Sequence, residues 1–220
     1  MSIFVIKIIA CITMFLDHIK YADSIFVNWC TVYMGRIAFP LFAFMITEGY
    51  VHTKDLNKYI KRLMNLAIIS QIPFMLFRTL TGNWLILNIL FGFVLGIQAI
   101  KIFEKFNNKF IAIFVDIIIM IFASLIKIEY GWYAVSMILM LYVFKKNKVI
   151  LSIMYILLVI LYYAVNELLS VMYMPYIILT ILPLVIILLY NGEKGRDVKW
   201  IFYVFYPLHL SVIYLLSIII

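Results

Sequence analysis

The stretch IFVIKIIACITMFLDHIKY, Ile3 to Tyr21, decides how this chain is read. It is apolar over the roughly 17–25 residues that an α-helix needs to cross a hydrocarbon core of about 30 Å. Yet it carries a lysine near its start and ends in an aspartate beside a histidine. The rest of the chain is of the same kind. Its 220 residues are 67% hydrophobic and 13% charged, with a mean hydropathy of +1.14, against the roughly 45–50% apolar content of soluble domains. The expected fold is therefore an all-α polytopic membrane bundle, a single domain over residues 1–220. Nine spans are expected, near residues 3–21, 27–50, 59–78, 84–103, 109–127, 130–144, 149–165, 171–190 and 199–219. The sixth is the shortest.

Basic residues test that division independently, because Lys and Arg collect in short cytoplasmic loops. Lys54, Lys58, Lys61 and Arg62 follow the second span, and Lys101, Lys105 and Lys109 the fourth. Lys145, Lys146 and Lys148 follow the sixth, and Lys194, Arg196 and Lys199 the eighth. The intervening loops hold only Lys20, Arg78 and Lys127. The N-terminus is thus expected in the cytoplasm and the C-terminus outside, which requires an odd number of spans. The net charge of +8 then reads as topology and contact with anionic lipid headgroups. Nucleic-acid binding is not expected, since no loop is long enough to build a folded basic surface.

The first span is expected to be a permanent helix, having no small-residue cleavage site followed by a soluble domain. Cys11 and Cys30 show neither CxxC nor Cys/His ligand spacing, so no metal site or disulfide framework is indicated. In NILFGFVLGIQ the spacing of Gly92 and Gly96 suits close helix packing.

The ionisable residues inside the spans are Lys7, Asp17, His18, Arg36, Glu48, Asp116 and His209. Each costs several kcal/mol unless it faces a cavity or a partner. Lys7 and His18 stand eleven residues apart, three helical turns plus about 20°, on one face and about 16 Å apart along the axis. Simpler readings remain for each. Lys7 can snorkel to the inner headgroups, His18 can sit at the outer interface, and Asp17 can pair with Lys20 at i+3.

All five prolines, Pro40, Pro73, Pro175, Pro183 and Pro207, fall within or at the start of spans. A proline in a membrane helix frees the carbonyl four residues back, a loss tolerated where neighbours or a polar cavity satisfy it. Pro40 frees the carbonyl of Arg36 and Pro207 that of Tyr203. Arg36 and Glu48 flank the first kink, and Tyr203, Tyr206 and His209 the second. Three polar helices in so small a protein point to a central site.

The strings MFLDHI, GRIAFPLFAFMITEGYVHT, YIKRLMNLAIISQIPF, LNILF, YNGEKGR and FYVFYPLHL, in this order, resemble the TraX family of membrane proteins. They run from about Lys7 to His209. The family is named for an enzyme that acetylates the N-terminal amine of conjugative pilin, and it is similar to the acyltransferase-three superfamily. That superfamily carries Arg, ten intervening residues, then His in its first helix. Lys7 and His18 match the spacing, with a lysine where a bidentate guanidinium would stand.

The resemblance implies an acetyl-CoA-dependent membrane acetyltransferase acting on an amine or hydroxyl acceptor, either a peptide or pilin N-terminus, a glycan or a lipid-linked amine. Such a reaction needs a base and cations or donors for the oxyanion. His18 is the expected general base, Asp17 its stabiliser or the holder of Arg36 or of the acceptor amine, and Arg36 the oxyanion group. Lys7, Glu48, His52, Asn88, Tyr203, Tyr206 and His209 are expected to line the cavity. Lys58, Lys61, Arg62, Lys194 and Arg196 supply cations for the CoA phosphates, unless they serve topology alone. No metal is implied. Ile-, Lys- and Asn-rich usage fits an AT-rich bacterial genome, and the expected location is the bacterial cytoplasmic membrane. The alternative is a small proton-coupled carrier, which would also use kinked helices and intramembrane Asp116 and His209, although no inverted repeat is visible. A scaffold would need a docking loop or tail, and none is seen.

Overall fold

The computed structural model describes residues 1–19, 25–166, 169–196 and 199–219, of which 25–33 and 199–202 are described by backbone alone. Nine α-helices are found among these residues: α1 Ile3–His18, α2 Ile25–His52, α3 Leu56–Thr79, α4 Ile89–Lys105, α5 Lys109–Leu125, α6 Gly131–Val143, α7 Lys148–Val165, α8 Met174–Leu188 and α9 Lys199–Ile219. A 3₁₀ turn, Val171–Tyr173, leads into α8. No strand is present among the described residues, only an isolated bridge between Leu87 and Ile128.

Each expected span corresponds to a helix, but the helices are unequal. Leu56–Thr79, Lys148–Val165 and Val171–Leu188 are long and apolar enough to cross a membrane by length and composition. Among the described residues the other helices do not reach that standard, α9 being described in full only over Tyr203–Ile219. The 16 residues of α1 and the 17 each of α4 and α5 fall just short, and the 13 of α6 extend only about 20 Å. The fourth span also starts later than hydropathy places it. Trp84 to Leu87 are apolar but not helical, because Leu87 pairs with the α5–α6 turn and Asn88 caps α4.

Short polar side chains start the helices, accepting from the otherwise unpaired first-turn N–H groups. Asp55 accepts from Lys58 N at 2.9 Å, Asn108 from Phe110 N at 2.9 Å, and Asn147 from Val149 N and Ile150 N at 3.0 and 3.1 Å. Lysines close some of the other ends. Lys109 Nζ donates to the carbonyls of Phe103 and Phe106 at the end of α4, and Lys148 Nζ to that of Leu188 at the end of α8. These two lysines therefore cap helix C-termini as well as adding loop charge.

The chain divides into two compact units, Met1–Met45 with Asn147–Ile220, and Ile46–Lys146. In the second, α4 lies against α5 and α6 around Ala99, Ala123, Ile128 and Val135. Gly92 and Gly96 make this closeness possible. A Cβ on Gly96 would stand 2.6 Å from Ile138 Cδ1, and one on Gly92 3.1 Å from Ala134 Cβ.

In the first unit, α1 pairs with α9 and α7 with α8. The first-turn amides of α1 are met by a loop rather than a side chain: Ile3 N donates to Glu193 O at 2.8 Å and Phe4 N to Lys194 O at 3.2 Å. Gly195, at φ +69°, allows the loop to close there, since a Cβ would come within 2.8 Å of Ser2 and Phe4.

Candidate functional site

Neighbouring residues on a helix point about 100° apart, and the end of α1 uses this divergence. Asp17 is directed onto α2, where a Cβ on Gly35 would stand 2.1 Å from its Cγ. The backbone of α2 is thus seated against the carboxyl, and only a glycine leaves room.

His18 meets α9 instead. Its Nδ1 lies 2.8 Å from His209 Nε2, and the two rings are stacked with centroids 5.0 Å apart. His209 is 4% exposed, and its Nδ1 lies 2.8 Å from the carbonyl of Phe205. A carbonyl only accepts, so Nδ1 of His209 carries a proton. With both rings neutral, His209 Nε2 is then the acceptor and His18 Nδ1 the donor, which leaves the lone pair of His18 on Nε2. Phe205 stacks on His209 at 4.8 Å and Tyr206 meets it edge-on at 5.7 Å, so the imidazole is held from several sides.

Arg36, one residue beyond Gly35, has its Cζ 5.3 Å from the ring centroid of Tyr176 on α8. The first unit therefore gathers Asp17, His18, Arg36, Tyr206 and His209. Tyr203 is half-buried one turn earlier on α9. Lys7 is half-buried on the face of α1 that holds buried Cys11 and Met14. Lys194 and Arg196 are exposed in the loop that closes on α1. Lys20, the i+3 partner considered for Asp17, lies outside the described residues, as do the side chains of Cys30 and Lys199.

The remaining expected residues belong to the second unit. Asn88 is fully buried, but its side chain is committed to structure. The oxygen accepts from Leu90 N at 3.1 Å, and the amide donates to Ala67 O at 2.8 Å and to Gln71 Oε1 at 2.9 Å. His52 turns back on its own helix, with Nδ1 donating to Glu48 O at 3.0 Å and 3.6 Å from the Glu48 carboxylate. Lys58, Lys61 and Arg62 are exposed on the first turns of α3, where Lys58 pairs with Asp55 at 3.2 Å. Asp116 is 1% exposed, and neither carboxylate oxygen has a hydrogen-bond partner.

Two polar groupings were not anticipated. At the end of α4, Glu104 accepts from Tyr50 at 2.5 Å and from Tyr142 through its other oxygen. Partial burial works to raise this carboxyl, but the hydrogen bonds from Tyr142 and Tyr50, with Lys145 and Lys109 nearby, hold it below the ordinary glutamate range. In the first unit, Tyr155 and Tyr163 of α7 are both buried and both bond Thr180 of α8. Tyrosine is counted among the hydrophobic residues, and the eight-residue spacing of this pair reads as apolar core, so only the partner across the helix pair shows their polar use.

Comparison with known proteins adds two positive findings. A probable fimbrial assembly protein FimC, serogroup H1, of Dichelobacter nodosus is 28% identical to this chain over 239 aligned positions, covering 96% of this chain and 94% of the relative. No solved structure matches. The family described as TraX protein matches residues 2–217, and among the described residues three helices are apolar and long enough to span a bilayer. The chain is a membrane protein and belongs to the TraX family.

Proposed function

We propose that this protein is a multi-pass acetyltransferase of the bacterial cytoplasmic membrane, with nine spans and a cytoplasmic N-terminus, related to the acyltransferase-three superfamily. It takes the acetyl group of cytoplasmic acetyl-CoA and passes it to an acceptor amine or hydroxyl at the membrane. A pilin N-terminus is the favoured acceptor, on the strength of the family name and of the fimbrial assembly name of the Dichelobacter nodosus relative.

The observation that carries this reading is the hydrogen-bonded pair of His18 and His209. His18 Nε2 takes the proton of the acceptor as its nitrogen or oxygen forms a bond to the thioester carbonyl carbon. Arg36 holds the oxyanion that develops. The C–S bond then breaks, and the CoA thiolate recovers the proton from His18. While His18 is an imidazolium, its Nδ1–H remains bonded to His209, which keeps the ring oriented through the cycle. Asp17 supplies a carboxylate on the same helical turn. Lys194 and Arg196, in the loop at the opposite end of α1, serve the CoA phosphates; Lys58, Lys61 and Arg62 on α3 are the alternative cationic set.

The test is CoA release from acetyl-CoA by the purified protein in liposomes, with peptide amines and glycans as acceptors. General-base catalysis contributes typically 10²–10⁴-fold, so His18→Ala should abolish transfer while insertion and acetyl-CoA binding persist. His18→Gln should be no better, because an amide accepts no proton at neutral pH. A His18→Ala protein that keeps more than about a tenth of the wild-type rate would remove His18 as the base. Absence of CoA release with every acceptor class would overturn acetyl transfer itself.

A further inference from the structure

Four contacts within the first unit lead from the buried face of α7 to Arg36. Tyr155 donates to the carbonyl of Thr180 at 2.8 Å, in the turn that Pro183 disturbs. The Tyr163 hydroxyl lies 2.9 Å from Thr180 Oγ1, and that oxygen donates to the carbonyl of Tyr176 at 2.7 Å, one turn nearer the start of α8. The Tyr176 ring stands beneath the Arg36 guanidinium. Two buried phenols spent on one threonine are costly unless satisfied, since each hydroxyl must recover the hydrogen bonds it gave up to water. What they obtain is a defined rotation and height for α8, and with it a defined place for one aromatic ring.

We infer that Tyr176 is a positioning residue for Arg36, and that Thr180, Tyr155 and Tyr163 set the position of Tyr176. A long arginine side chain has several rotatable bonds, and a group meant to meet an oxyanion must not wander among their rotamers. Placing the guanidinium over an aromatic ring restrains it by cation–π attraction, which uses the charge and none of the N–H groups. The consequence for catalysis rests on the acetyl-transfer reading. The positioning itself does not.

The experiment therefore has two arms on the full-length protein in nanodiscs. The first follows the Arg36 side-chain Nε–H resonance, assigned by its loss in Arg36→Lys. In the wild type it should be shifted by the ring current and exchange slowly. Tyr176→Leu should remove the shift and Tyr176→Phe should keep it. Thr180→Val and Tyr163→Phe should broaden or partly shift it. An Arg36 resonance unchanged in Tyr176→Leu overturns the inference, whatever the activity.

The second arm measures transfer. Tyr176→Leu should lower kcat roughly threefold to thirtyfold, the range of one cation–π contact, with the KM for acetyl-CoA unchanged. Tyr176→Phe should restore kcat, and a trifluorinated phenylalanine at the same position should lose it again, because fluorination weakens the ring's negative face at nearly constant shape. Equal rates for the two phenylalanines would reduce Tyr176 to packing and overturn its role through charge. If the resonance responds as expected but no His18-dependent transfer exists, the positioning stands and the acetyl-transfer reading fails.

Discussion

At the scale of single residues, the end of α1 shows how adjacent side chains acquire different tasks. Asp17 and His18 are neighbours in sequence but diverge around the helix, one to Gly35 and the other to His209. The sequence made His18 a candidate because an imidazole in an apolar run is costly. It could not name His209 as its hydrogen-bond partner, since the two are 191 residues apart. Gly35 passed unnoticed for a related reason: a glycine's importance lies in what would strike its missing Cβ. Gly35→Ala should therefore destabilise the protein by about 1–3 kcal/mol, the range for forcing an extra carbon into a packed site. In an Asp17→Gly background, where the obstructing side chain is gone, the same change should cost much less. Chemical denaturation of the four proteins of this cycle measures the coupling. Additive effects would mean that Asp17 is not seated against α2.

At the scale of helices, the glycines at a helix crossing were the feature most open to reading. The Gly92–Gly96 spacing announced close packing, and α4 meets α6 there. The Tyr50–Glu104–Tyr142 grouping was less accessible, because it joins three helix ends that are distant in sequence. It also gives a pH dependence whose sign can be worked out. The Glu104 carboxyl is held below its ordinary value in the folded protein, so the unfolded chain binds its proton first as pH falls. The clamp's contribution is then complete above the unfolded glutamate value of about 4.3 and fades as pH drops through the lower folded value. Glu104→Gln should flatten the acid limb of a stability-against-pH curve in detergent. An unchanged limb would show that the clamp adds nothing to stability.

At the scale of the whole molecule, the alternation of basic and poorly charged loops predicts sidedness. Single cysteines at positions 23, 81 and 129 and at the C-terminus should react with an impermeant reagent from outside, and those at 54, 105, 146 and 194 only after the membrane is opened. Reaction of both termini from one side would require an even number of spans. Neutralising Lys194 with Arg196, or Lys58 with Lys61 and Arg62, should weaken acetyl-CoA binding, and added salt should weaken the wild type toward the variants. If both sets keep wild-type affinity, these residues serve orientation alone.

The sequence by itself determined that the chain is helical and made for a membrane, because hydropathy and loop charge act locally and add along the chain. It also determined which polar residues needed explanation, since any ionisable group in an apolar helix carries a penalty that must be offset. Tertiary structure decided what offsets it. Asn88, grouped with the cavity by its place in LNILF, is consumed by capping α4 and joining Gln71 and Ala67. His209, by contrast, is hydrogen-bonded to His18, and Tyr176, which no pattern marked, lies under Arg36. Hydrogen bonds and ring contacts act over a few ångströms in space, and helix periodicity carries no information about which distant helix will supply the partner.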